Sequence, residues 1–76
     1  MMSHNDFVKA FHELWWQVCE SDSGWRQGQV YFNVLLTANP AMAEVLRGSL
    51  MDPFHRETVP QKTWNYVEQH WDNISD

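Results

Sequence analysis

Cys19 and the four histidines, His4, His12, His55 and His70, are the first side chains to test for chemistry. A nucleophile needs a base within hydrogen-bond reach, and a zinc site needs ligands at short, regular spacing. Neither pattern is present. Cys19 is followed by Glu20, whose negative charge does nothing to favour a thiolate, so it reads as an inert thiol. His12-Glu13 lacks the second histidine of a zinc-protease helix. His55 lies near Asp52 and Glu57, but a loop imidazole of this kind reads more simply as solvated. The expectation is a protein that is not an enzyme, with no metal and no cofactor.

Two other groups of residues suit binding. Arg26, Gln29 and Asn33 recur at i, i+3 and i+7 on a segment otherwise rich in apolar residues, so they could floor a polar cleft. The simpler alternative is that Arg26 pairs with a carboxylate while the two amides tie down a neighbouring loop. Trp16 is the second candidate. On a helix it falls away from the apolar face, near Lys9, with Glu13 and Glu20 around it. Tryptophan is enriched at interaction hot spots. The alternative is that the chain end near Ile74 covers it.

These residues need helices to place them. Ser3 with Asp6 resembles a capping box, and from about residue 4 to 20 Phe7, Phe11, Leu14, Trp15 and Val18 share one face. SDSG at 21–24 is a turn, with Ser23 or Asp22 available to cap a helix over 24–38. In that helix Trp25, Phe32, Leu35 and Leu36 lie on one side and Val30 and Val34 on another, the pattern of a helix covered twice. Gly28 suits close approach by a further helix. Asn39-Pro40 is a strong helix start. Met42, Val45 and Leu46 then give an apolar side over 40–47, and Gly48 stops the helix with positive φ. Residues 49–58 form a packed loop in which Phe54 is buried and Asp52 accepts a hydrogen bond from Arg47 or nearby backbone. Thr58 with Gln61 is a second capping box for a helix over 59–72, seated by Pro60, Trp64, Val67, Trp71 and Ile74. The fold expected is a single all-α domain spanning 1–76, a small bundle of about four helices with the second between the first and last.

Composition limits the function. A chain of 76 residues with one cysteine has no disulfide to staple it, and a domain of this size buries only about 60% of its unfolded surface. Five Trp, four Phe and two Tyr must supply the packing. The net charge of −5 argues against a nucleic-acid partner, which needs clustered Lys and Arg. No apolar run approaches the roughly 18 residues that span a membrane. The lone thiol and the absence of a visible signal peptide point to a cytoplasmic setting.

The segments WRQGQVYFNVL, NPAMAEVLRGSLMDPF and WNYVEQHW also form a pattern: Arg26 with Gly28-Gln29, Phe32-Asn33 and Leu35, then Arg47-Gly48 before Asp52-Pro53-Phe54, then a Trp-bearing last helix. Over residues 25–71 this resembles a set of short bacterial and prophage proteins to which no activity is assigned. The resemblance implies a bacterial or phage genomic setting and carries over no catalytic residues. The function expected is binding of one protein partner, as a phage or prophage modulator of a host protein in one version. The rivals are a structural homo-oligomer, a homodimer being its smallest form, and a small-ligand domain built on Arg26, Gln29 and Asn33.

Overall fold

A hydroxyl opens the first helix. Ser3 is extended, and its Oγ accepts a hydrogen bond from the Asp6 N–H at 3.1 Å. The computed structural model describes residues 2–72, and over these the chain forms an all-α bundle: α1 (His4–Ser21), α2 (Gln27–Ala38), α3 (Pro40–Leu46) and α4 (Gln61–His70). None of the described helices is long and apolar enough to cross a membrane. In α1, Phe7 and Phe11 are buried, while Leu14, Trp15 and Val18 are half-buried, so the seam loosens towards the helix end. Asp22 ends α1 in the left-handed region with φ 55°.

The second helix starts three residues later than its composition suggests. Residues 23–26 lie outside both helices, and Arg26 is still extended at the N-cap with no side-chain cap. Neither Ser23 nor Asp22 caps α2. Instead its first free N–H groups reach across the molecule: Gln27 donates to the Glu57 carbonyl at 3.3 Å and Gly28 to the Arg56 carbonyl at 3.1 Å. These bonds replace the missing cap. Because Trp25 precedes the helix, the helical phase that would bury it does not apply, and it is 44% exposed. Leu36, also expected to be packed, is exposed. A loop, not another helix, exploits Gly28. A Cβ there would run into the backbone carbonyl of Pro53 and crowd that of Arg56.

Asn39 opens α3, its Oδ1 accepting from the Met42 N–H at 3.2 Å with Pro40 in the first turn. The buried side is Met42, Ala43 and Leu46; Val45, expected among them, is exposed, and the helix ends at Leu46. Gly48 follows with φ 74°. The Asp52 carboxylate accepts from the Gly48 N–H at 2.9 Å and from the Phe54 N–H at 3.0 Å, which closes the turn. Phe54 is only half-buried, with its ring edge-on to Phe32 at 5.8 Å. The loop is anchored by Pro53 and Val59, both buried.

Thr58 is exposed and does not cap α4, because Pro60 holds the N-cap position and makes no side-chain cap. Val67 and Trp71 are buried and Trp64 half-buried; Ile74 lies outside the described residues. Thr63, fully buried, donates its hydroxyl to the Met51 carbonyl at 2.9 Å. The core is aromatic and centres on Tyr31 of α2. Trp64 meets it edge-on at 4.7 Å, Phe7 at 5.1 Å and Phe11 at 5.5 Å, so α2 is gripped by α1 and α4. Trp71 stacks on Phe7 at 5.1 Å.

Candidate functional site

Leu50, in the loop after α3, stands out in water to the greatest fraction, but the outer face of α1 carries the more exposed of the two exposed tryptophans. The helix is held by Phe7 and Phe11 on its inner side, which turns Trp16 outward with 67% of its surface exposed. His12, Glu13 and Gln17 form a shallow depression of about 380 Å³ beside the Trp16 ring. Glu20, one turn further on, is exposed, as is Lys9 one turn back. The face therefore combines an apolar anchor with two carboxylates and one ammonium group.

A second apolar strip runs along the junction of α1 and α2. Trp25 lines a groove of about 420 Å³ together with Leu14, Val34 and Asn33. Trp25 and Leu14 continue into a further depression with Gln17 and Val18. Gln17 also borders the Trp16 depression, so the two exposed tryptophans lie along one connected surface. Sequence periodicity missed Trp25 because the residue sits on no helix. The SDSG turn just before it was the available signal that the helical phase fails there.

The stripe Arg26, Gln29, Asn33 is distributed over different surroundings. The Arg26 Nε lies 3.2 Å from the Glu57 carboxylate, an exposed ion pair beside the N-terminus of α2. Gln29 is half-buried, and Asn33 lines the groove with Trp25, which does not include Arg26 or Gln29 among its walls. The amide that secures the loop is Gln27, whose Oε1 accepts from the Val59 N–H at 2.8 Å. His55 faces a small polar pocket of about 260 Å³ with Arg47, Asp52 and Phe54. Cys19 is exposed on α1. Among the described residues, no three His, Cys, Asp or Glu side chains gather as a metal site. Burial among aromatic rings pushes the Tyr31 phenol well above the usual tyrosine range, so it stays neutral. The chain matches no family model, no curated protein sequence and no solved structure.

Proposed function

We infer that the protein acts by binding another protein through the outer face of α1, with no chemistry of its own. One observation carries this reading: Trp16 is 67% exposed on a helix whose inner seam is already supplied by other residues. A large aromatic left in water is an available anchor, and such anchors dominate binding energy where they occur. Glu13 and Glu20 beside it, on a chain of net charge −5, suit a partner that carries basic residues around an apolar socket. Modulation of a host protein by a phage or prophage product is one setting for such a module.

The test compares wild type with Trp16→Ala in affinity capture from the native host, read by quantitative mass spectrometry, alongside thermal melting and light scattering at micromolar concentration. The substitution should leave stability within about 0.5 kcal/mol, as for other surface changes. It should weaken capture of one specific protein by about 30-fold or more, the scale of a hot-spot truncation. A wild-type dimer that the substitution dissociates would make the partner a second copy. Undiminished capture, or a large fall in the melting midpoint, would remove Trp16 from the interface.

A further inference from the structure

We propose that the cleft between α1 and α4 is a binding slot for a guanidinium group. It lies on the α4 flank of α1, and it stands or falls separately from the Trp16 reading. Phe11 and Trp64 line this cleft of about 440 Å³, a volume within the range of small-ligand sites. His12 forms one wall. Its ring and that of Trp64 are nearly parallel, 16° apart, with centroids at 6.4 Å. A planar group between two rings needs two contact distances, about 7–8 Å. At 6.4 Å the two rings stand closer than that, so a flat layer enters only when the exposed His12 ring swings outward from Trp64. Side chains from α4 complete the rim: Gln61, Asn65 and Glu68.

The charge and hydrogen-bonding character of this rim select the ligand. Among the described residues Glu68 is the only carboxylate lining the cleft, and the only basic side chains lining it are the imidazoles of His4 and His12. No Lys, Arg or His among the described residues pairs with Glu68. Gln61 Nε2 donates to Asn65 Oδ1 at 3.1 Å, which leaves the Gln61 carbonyl oxygen as an acceptor. An aromatic face attracts a cation, a carboxylate accepts a forked pair of N–H groups, and near-parallel walls favour a flat ligand. Guanidinium meets all three conditions: it is planar, permanently charged and carries only donors. An ammonium group has the charge without the plane, and a urea has the plane without the charge.

The experiment is a heteronuclear NMR titration of the full chain with N-acetyl-arginine methylamide. The expected result is a saturable shift of the Trp64 indole N–H and of the Gln61 and Asn65 side-chain amides. The matching lysine and citrulline amides should bind about tenfold more weakly or worse. Glu68→Gln, at an exposed position that leaves the core intact, should weaken the arginine probe by a similar factor. Two further arms identify the source: free L-arginine binding as well as the amide indicates a small molecule, and binding only of the amide and arginine-bearing peptides indicates a protein side chain. Either outcome supports the slot. Absence of saturable shifts at these groups, equal binding of the lysine amide, or unchanged binding by Glu68→Gln would overturn it.

Discussion

At the scale of single residues, Tyr31 is one of two anomalies, the other being the unpartnered buried Nε2 of His4. Tyr31 is fully buried in the aromatic core, and its hydroxyl has no hydrogen-bond partner among the described residues. A buried polar group left unpaired costs about 1–3 kcal/mol. Tyr31→Phe removes that group and keeps the ring that meets Phe7, Phe11 and Trp64, so it should raise stability by about 1 kcal/mol or more at neutral pH. The pH dependence follows from the same burial. The folded-state pKa of Tyr31 is raised above its unfolded value, which is about 10. Its contribution is therefore whole below about pH 10 and is lost as pH rises further, because only the unfolded chain can readily ionise it. Tyr31→Phe should flatten that alkaline decline. Urea unfolding at pH 7 and near pH 11 measures both effects; a less stable variant at pH 7 would mean that the hydroxyl makes a bond that matters. Other residue roles were legible because their partners are close in sequence. Ser3, Asn39 and Asp52 each accept from an N–H no more than four residues away.

Elements were legible where their ends depend on such local bonds, and misplaced where they do not. The start of α1 and the junction of α2 with α3 follow from caps and a proline. The start of α2 does not, because its free N–H groups are met by Arg56 and Glu57 from a distant loop. The Thr58–Gln61 pattern had the right letters for a capping box, but Pro60 sets the entry to α4. Gly28 tests this account of α2. In an isolated helix, Gly→Ala gains about 1 kcal/mol. Here the added methyl meets the Pro53 carbonyl, a backbone atom of a buried residue. Gly28→Ala should instead lower stability by about 1–3 kcal/mol, the usual range for overpacking, with a matching fall in the urea midpoint. A more stable variant would show that the loop is not seated on this glycine. The exposure of Trp16 was readable from the phase of α1 alone. The cleft between α1 and α4 was not, since it depends on how His12 and Trp64 meet across two elements.

At the scale of the whole molecule, Met2 and Trp71 meet the α2–α3 corner, a junction no local pattern announces. Met2 donates its N–H to the Ala38 carbonyl at 3.3 Å and accepts from the Trp71 indole at 2.9 Å. Asn39, buried at that corner, uses both ends of its amide. Its oxygen caps α3 through the Met42 N–H at 3.2 Å, and its nitrogen donates to the Trp71 carbonyl at 3.4 Å. One side chain thus links three of the four helices to one another. In a domain with no disulfide, such a link should make unfolding a single event, with secondary structure and aromatic packing lost together. Asn39→Ala removes the cap, worth about 1 kcal/mol, and leaves the buried amide partners of both bonds unmet, so the expected loss is about 2–4 kcal/mol. Asn39→Asp keeps an acceptor for Met42 but buries a carboxylate against the Trp71 carbonyl with no cation beside it among the described residues, so at neutral pH it should cost at least as much as Asn39→Ala. Far-ultraviolet and near-ultraviolet circular dichroism melts should shift together in both variants. A near-ultraviolet transition that separates from the far-ultraviolet one in Asn39→Asp would mean that α4 undocks on its own, and that the corner joins the helices less tightly than its hydrogen bonds imply.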